Sequence, residues 1–260
     1  MEVHTMLAFL SYFYRVLATG FCFAVFGIGG LLLSSTLFPL LSWLYKDPHK
    51  KQQEAKKWVS RTFRFFVNLM QWIGVGNFHV PDAKILAKQQ GKLVMANHPS
   101  LIDVVILIAY LPRADCVVKA SLLRNPFISG VIKATGYISN DDPESVLVAC
   151  NASLAAGNNL IIFPEGTRTT PGKSPKLQRG AANIAVRCGA TPLILGINVS
   201  PSTLTKENRW YQVPKKKFTF SVEIKDNAPL PKEGEIITKE TRRYTRSLQA
   251  FFSEDIQHYE

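Results

Sequence analysis

Apolar residues follow two different patterns along this 260-residue chain, and the patterns divide it into two regions. Residues 16–45 carry no charged side chain, and about 20 apolar residues of helix suffice to cross a bilayer. We therefore expect this segment to cross a membrane once, or to dip in and return near its glycines. Residues 54–74 show helical spacing with a basic face opposite an aromatic stripe, which favours a helix in the headgroup layer. A helix packed on the domain would give the same pattern.

After Gly76, short apolar runs alternate with helical stretches. The predicted strands are residues 77–80, 92–96, 116–119, 160–163, 191–199 and 218–224, and the predicted helices are residues 101–110, 126–134, 143–156 and 179–188. This alternation predicts an α/β fold with a mostly parallel sheet flanked by helices, preceded by N-terminal membrane-associated helices. We divide the chain into a membrane segment with an interfacial amphipathic helix, residues 1–74, and an α/β domain, residues 75–260. The segment from Thr238 is predicted to be a charged, exposed helix.

Charge changes the picture at the end of the apolar segment. The net charge is +12, and residues 46–92 hold ten Lys or Arg against three acids. The positive-inside rule then places the following domain on the cytoplasmic face of a membrane, with the bacterial inner membrane favoured. The four cysteines form no C-x-x-C pair, so no metal site or disulfide framework is indicated. Basic and aromatic residues concentrate beside the membrane segment, so nucleic acid is not expected as a partner.

Candidate chemistry begins where a predicted strand ends. Residues 97–103 read NHPSLID, and they follow the apolar run 93–96. In open α/β sheets ligands gather beyond the carboxyl ends of the strands, so His98 is well placed to act on a substrate. Asp103 could reach back to the imidazole, fix its tautomer and stabilise the imidazolium. Alternatively, Ser100 to Asp103 is a capping box, in which the carboxylate only begins a helix.

A second stretch, FPEGTRT at residues 163–169, ends the predicted strand 160–163. Proline stops the strand and glycine permits a tight turn, which leaves Glu165 and Arg168 at the same edge. Arginine at such a turn suits a phosphate, because its guanidinium offers two parallel hydrogen bonds. A structural bridge between these two side chains is the alternative.

Together the two stretches resemble one family. NHPSLID matches the N-H-x-S-x-x-D signature and FPEGTRT matches the F-P-E-G-T-R-S signature of the glycerolipid acyltransferases, in the 1-acylglycerol-3-phosphate O-acyltransferase branch. The resemblance implies direct transfer of an acyl group from acyl-CoA or acyl-carrier protein to a lysolipid hydroxyl, without a bound cofactor. It implies His98 as the general base and Asp103 as its support.

The resemblance also implies the residues that bind substrate. Glu165, Gly166 and Arg168 correspond to positions that hold the polar head of the acceptor, and we assign Asn97, Ser100 and Thr167 of the same motifs to substrate binding. The family usually places an arginine after its G-x-x-F-I block, where this chain has Asp141 and Asp142. Lys119 and Arg124 could supply the missing cation.

That departure leaves the acceptor open. The favoured acceptor is 1-acylglycerol-3-phosphate, which would give phosphatidic acid. A specialised acceptor without a phosphomonoester, such as a lyso-aminolipid, is one alternative, and a catalytically dead lipid-binding scaffold is another.

Overall fold

The computed structural model describes residues 2–170 and 172–257. The helices are α1 (Glu2–Leu32), α2 (Phe38–Leu44), α3 (Pro48–Trp72), α4 (Ala83–Leu86), α5 (Asp103–Tyr110), α6 (Ser129–Thr135), α7 (Pro143–Ala155), α8 (Arg179–Cys188) and α9 (Ile237–Gln257). The strands are β1 (Gly76–His79), β2 (Leu93–Ala96), β3 (Ala114–Val118), β4 (Ile138–Ser139), β5 (Asn159–Ile162), β6 (Pro192–Ser200) and β7 (Phe218–Ile224).

Within the described residues the strands form one seven-stranded sheet in the order β1-β7-β6-β2-β5-β3-β4. β6 and β7 pair antiparallel, and the other neighbouring strands pair in parallel. β2 and β5 lie side by side near the centre, and their residues are buried throughout. Strands covered on both faces read as continuous apolar runs, which is why they were recognisable in the sequence. The predicted α/β class with a mostly parallel sheet is confirmed.

Helices cover both faces of the sheet. On one face, side chains of α3, α5 and α6 share a core with Val94 and Ala96 of β2. On the other face, α8 and α9 pack against Leu93 and Met95 of the same strand. Because side chains alternate along a strand, β2 contributes to both cores. The two helical layers thus hold the central strands, and the residues that follow their carboxyl ends, in a rigid arrangement.

The N-terminal helices lie along the α/β domain. α1 continues through a π-helical turn, Leu33–Leu37, directly into α2. The segment Phe9–Leu44 is long and apolar enough to cross a membrane. The backbone stays helical through the glycines where a return seemed possible, and the chain instead turns back after α2, before α3 begins at Pro48.

The aromatic stripe of α3 is not free to face lipid, which corrects the predicted interfacial role of that stripe. Val59, Phe66 and Met70 are buried in the core, and Phe66 contacts Phe26 of α1 with ring centroids 5.3 Å apart. α1 and α5 cover the apolar face of α3, for which the sequence alone indicated no packing partner. The exposed aromatic side chains of α3 include Trp72.

α9 also differs from the prediction of an exposed helix. Tyr244, Leu248 and Phe252 recur every four residues, and all three are fully buried against α8 and the sheet. Side chains four residues apart share one face of a helix, so the charged residues lie on the outer side. α9 therefore completes the second core.

The predicted boundary between residues 1–74 and 75–260 falls between α3 and β1. Helices from both sides of this boundary pack in one core, and the division stays a prediction. The predicted ranges extend over residues 1, 171 and 258–260, which lie outside the described residues.

Candidate active site

Two neighbouring strands bring the two motifs together. β2 and β5 run parallel, with Met95 opposite Ile162, so both strands end at the same edge of the sheet. NHPSLID leaves the end of β2 and FPEGTRT leaves the end of β5. The ring of His98 stacks on that of Phe163, with centroids 4.0 Å apart and an interplanar angle of 18°. Motifs about 60 residues apart in sequence are thus in direct contact.

His98 and Asp103 form a tight pair. Nδ1 of His98 lies 2.6 Å from Oδ2 of Asp103, and the same carboxylate oxygen accepts a hydrogen bond of 2.8 Å from the backbone N–H of Ser100. The catalytic and the capping interpretations of Asp103 therefore both describe its contacts. An ionised carboxylate only accepts hydrogen bonds, so Nδ1 carries the proton and Nε2 is the basic atom. The His98 side chain is 18% exposed whereas that of Asp103 is fully buried, so the imidazole is the accessible member.

Burial changes the acidity of the pair. Desolvation raises the pKa of Asp103 from 3.8 to about 6, and the hydrogen bonds from His98 and from the Ser100 backbone oppose that rise. The carboxylate is therefore still ionised at neutral pH. The ionised carboxylate accepts from Nδ1–H and keeps the imidazole in the orientation that leaves Nε2 to act as a general base.

A second set of bonds holds the backbone of His98. Oε1 of Glu165 accepts from the His98 backbone N–H at 3.1 Å and from the Thr169 hydroxyl at 2.6 Å. The Thr169 hydroxyl oxygen lies 3.2 Å from the same N–H, and the Thr169 backbone N–H donates to the His98 carbonyl at 2.7 Å. Glu165 is buried, and desolvation raises its pKa. Its carboxylate thus holds the histidine in place inside the protein.

Asn97 and Ser100 are buried beside this pair. The side-chain amide of Asn97 donates to the carbonyl of Ile197 and accepts from its N–H, both at 2.7 Å, and so fastens the end of β2 to β6. The hydroxyl of Ser100 is buried and has no hydrogen-bond partner among the described residues. The roles in substrate binding predicted for these two residues stay predictions.

The turn after β5 presents Gly166, Thr167 and Arg168. Gly166 is exposed at φ +66°, a backbone conformation that glycine adopts at little cost, and Thr167 is half-buried next to it. Nη1 of Arg168 donates to the carbonyls of Leu204 and Thr205, both at 2.8 Å. No ion pair joins Arg168 to Glu165 within the described residues. Arg168 is half-buried, and its predicted role as a phosphate ligand stays a prediction.

Lys119 lies two strands away from His98, directly after β3, and its side chain is exposed. The two acids that replace the usual arginine serve local bonds. Asp142 accepts from the backbone N–H of Ser145 and caps α7, and Asp141 accepts from the hydroxyl of Ser139. At the position where the family usually has an arginine, this chain therefore has the N-cap residue of α7.

An accessible imidazole held by a buried carboxylate at the carboxyl ends of parallel strands can serve as a general base. Residues 77–204, about half of the chain, match the family model described as Acyltransferase, and the predicted resemblance to acyltransferases is confirmed.

Similar proteins carry more specific names. A 1-acyl-sn-glycerol-3-phosphate acyltransferase of Helicobacter pylori is 39% identical over 101 residues, which cover 36% of this chain and 43% of the relative. An enzyme of the same name from Borreliella burgdorferi is 28% identical over 156 residues, which cover 57% of this chain and 59% of the relative. The matches thus span about half the length of these curated relatives.

A solved structure shares the fold. The crystal structure of the 1-acyl-sn-glycerophosphate acyltransferase PlsC from Thermotoga maritima has a TM-score of 0.64 and 19% identity. The match covers 96% of this chain and 98% of that one, so the N-terminal helices are included in the common fold.

Two parts of the site were missed by sequence reasoning. Thr169 was visible only as the last letter of FPEGTRT, and its side chain binds back to the first motif. The carbonyls of Leu204 and Thr205 come from the connection after β6, and backbone atoms leave no signal in a sequence.

Proposed function

We propose that the protein transfers a fatty acyl group from an acyl thioester to the free hydroxyl of 1-acylglycerol-3-phosphate, giving phosphatidic acid. The observation that carries this proposal is the His98–Asp103 pair of the first motif, with its atoms 2.6 Å apart, the imidazole accessible and its ring stacked on Phe163 of the second motif. The names of the relatives support the choice of acceptor. Acyl-CoA and acyl-carrier protein both provide the required thioester.

In the proposed reaction, Nε2 of His98 removes the proton of the acceptor hydroxyl as the oxygen attacks the thioester carbonyl. The carbon–sulfur bond then breaks, and the imidazolium returns the proton to the departing thiolate. Asp103 holds Nδ1–H and stabilises the imidazolium between the two transfers. General base catalysis of this kind contributes about 100 to 10,000-fold in rate.

The acceptor phosphate needs cations near the exposed turn after β5. Nη1 of Arg168 is committed to two carbonyls, whereas its Nε and Nη2 have no hydrogen-bond partner in the part of the chain that the structure describes. We assign these two nitrogens and Lys119 to the phosphate. Exposed Gly166 and half-buried Thr167 lie in the same turn, and we assign them to the same group.

Membrane attachment belongs to the proposal because a lysolipid acceptor resides in a bilayer. α1 contacts the domain at many points, including a hydrogen bond of 2.7 Å from the Tyr14 hydroxyl to the carbonyl of Ile73. Its outer side carries exposed Phe13, Leu17 and Phe21. We infer that the helix lies in the membrane surface with the domain attached, on the cytoplasmic face as the basic residues after it suggest.

The first test uses purified wild type and His98→Ala with labelled acyl-CoA or acyl-carrier protein and a panel of lysolipids with and without a phosphomonoester. We expect label on 1-acylglycerol-3-phosphate with wild type and at least a 100-fold lower rate with the variant. Circular dichroism and thermal unfolding check that the variant is folded.

Other outcomes have clear meanings. Label on a different lysolipid alone would contradict the proposed acceptor and favour the specialised one. Absence of turnover in folded wild type with every donor would favour a lipid-binding scaffold. Full activity of folded His98→Ala would disprove the general base.

A further inference from the structure

The connection between β6 and β7 is basic and exposed. We call residues 201–217 the basic loop; it contains Lys206, Arg209, Lys215, Lys216 and Lys217 against a single acid, Glu207, which gives a net charge of +4. All five basic side chains are exposed. The proposed reaction uses none of them, so this charge needs another explanation.

Two aromatic residues stand out from the same loop. Trp210 is 47% exposed and Tyr211 is 40% exposed, and their rings meet edge to face with centroids 5.6 Å apart. Trp210 also packs on α1, where its ring lies 6.1 Å from that of Phe23 and where a Cβ on Gly20 would come within 3.2 Å of it. Large aromatic side chains are therefore presented to solvent on a surface that also carries positive charge.

The loop and α1 form one continuous surface. Arg15 of α1 donates a hydrogen bond from Nη2 to the carbonyl of Lys215, so the helix is tied to the start of the run of three lysines. Leu17 and Phe21 of α1, which precede and follow the loop-contacting Gly20 in the sequence, are more than half exposed. Apolar side chains, aromatic rings and lysines thus follow one another across the surface.

We propose that the basic loop is a docking surface for anionic phospholipid headgroups in the bilayer where α1 lies. This proposal rests on the proposed membrane association and adds the lipid class and the residues that recognise it. Lysines attract the negative surface of a bilayer, and Trp and Tyr favour the level of the headgroups. An acidic protein would be attracted by the same lysines, but it would not account for the exposed rings beside an apolar helix.

The loop is anchored at the active site. The carbonyl of Leu204, near the start of the loop, accepts from Nη1 of Arg168 and from the backbone N–H of Leu101, and the carbonyl of Thr205 accepts from the same Nη1. Leu101 lies between His98 and Asp103 in the sequence. A bilayer bound to the loop is thus held at a fixed position relative to the histidine pair.

The test uses Trp210 as its own probe. In a chain with Trp43, Trp58 and Trp72 replaced by Phe, fluorescence is measured in vesicles of phosphatidylcholine that contain brominated phosphatidylglycerol or, at equal mole fraction, brominated phosphatidylcholine. We expect stronger quenching by the brominated anionic lipid. Flotation of the same samples, and of the chain with all tryptophans present, reports membrane binding independently.

Two matched triple variants separate position from total charge. K215Q/K216Q/K217Q removes three charges from the basic loop, whereas K239Q/R242Q/R246Q removes three exposed charges from α9 on the opposite face of the sheet. At about fivefold for each lysine near an anionic surface, we expect the loop variant to lose about 100-fold in its preference for phosphatidylglycerol vesicles. The α9 variant should keep that preference.

Several outcomes would overturn the inference. Flotation with both lipids but no quenching of Trp210 by either would disprove the loop's role and leave the membrane proposal intact. Equal losses in both triple variants would show a non-specific charge effect. A change in Trp210 fluorescence on adding acyl-carrier protein without vesicles, lost in the loop variant, together with no response to phosphatidylglycerol, would identify an acidic protein instead. Binding to phosphatidylglycerol but not to phosphatidylcholine vesicles would support the loop and contradict attachment through α1.

Discussion

Two carboxylates in this molecule pair with a basic side chain at the same distance. Oδ2 of Asp103 lies 2.6 Å from Nδ1 of His98, and Oδ1 of Asp115 lies 2.6 Å from Nζ of Lys56. Both carboxylates are buried. The basic partners differ, because the Lys56 side chain is 2% exposed and that of His98 is 18% exposed.

The difference shows which of the two pairs leaves a basic atom accessible. Lys56 of α3 bonds to Asp115 in β3, whose other oxygen accepts from Ser153 of α7, so this pair fastens three elements together. Burial lowers the pKa of Lys56, and the charge of Asp115 opposes that shift. The histidine keeps a second ring nitrogen available at the carboxyl edge of the sheet, whereas the lysine is enclosed. The two pairs have the same distance, and they differ because only the histidine has an accessible basic atom that is not already used in the pair.

Lys56→Met should give the largest effect on stability. It leaves the carboxylate of Asp115 buried without its partner, so we expect the free energy of unfolding to fall by about 3–5 kcal/mol, measured by urea unfolding in detergent. Turnover per folded molecule should stay near wild type. The double variant Lys56→Met, Asp115→Leu should recover much of the loss, because neither charge then remains buried. Loss of turnover in a fully stable Lys56→Met protein would mean that this lysine takes part in catalysis, and the distinction between the two pairs would then be wrong.

Asp103→Asn should act on the rate. The Asn amide places an N–H donor against Nδ1 and favours the tautomer in which Nε2 is protonated, so we expect kcat to fall about 100-fold with little change in the acceptor KM. Steady-state kinetics in mixed micelles would measure both parameters. A rate close to wild type would reduce Asp103 to a helix cap.

The same variant should change two pH dependences. In wild type, log kcat should fall as the pH drops below about 6, because the buried pair then takes up a proton. The folded pKa of Asp103 exceeds its ordinary value of 3.8, so the folded state binds this proton more tightly than the unfolded state. Its contribution to the free energy of unfolding therefore decreases as the pH rises from about 4 to about 6. Asp103→Asn should remove that slope.

Thr169→Val tests the weaker bonds that position the histidine. The change removes the hydroxyl between Glu165 and the His98 N–H while keeping the side-chain shape, so we expect about 1 kcal/mol of destabilisation and a severalfold lower kcat. Thr169→Ser keeps the hydroxyl and should restore the rate. Wild-type rates in both variants would mean that the hydrogen bonds from the Thr169 hydroxyl do not affect catalysis.

Local patterns predicted the parts of the molecule that depend on short stretches. The apolar runs of β2 and β5 and the motif that comes after each strand were sufficient to place His98 and Glu165 at one edge. Arg168 could not be understood in this way, because its partners are carbonyls 36 and 37 positions further along the chain. The aromatic stripe of α3 was similarly ambiguous, since only the folded chain shows that α1 and α5 cover it. For α9 the sequence did indicate a buried face, because its apolar residues recur every four positions, but the high charge of the segment obscured this pattern.

The π-helical turn at Leu33–Leu37 accommodates one extra residue in the N-terminal helix. Buried Ala18 and Cys22 precede the turn and buried Phe38 and Leu41 come after it, so one side of the helix faces the domain both before and after. Each α-helical residue advances the face by about 100°, and a π turn takes up one extra residue without that advance, so α2 keeps the phase of α1. Deleting a single residue here would convert the turn to regular helix and leave α2 in the same phase, whereas a deletion earlier in α1 would rotate it by about 100° relative to the domain. In homologous chains, a gap of one residue should therefore be tolerated in this turn better than elsewhere in the helix.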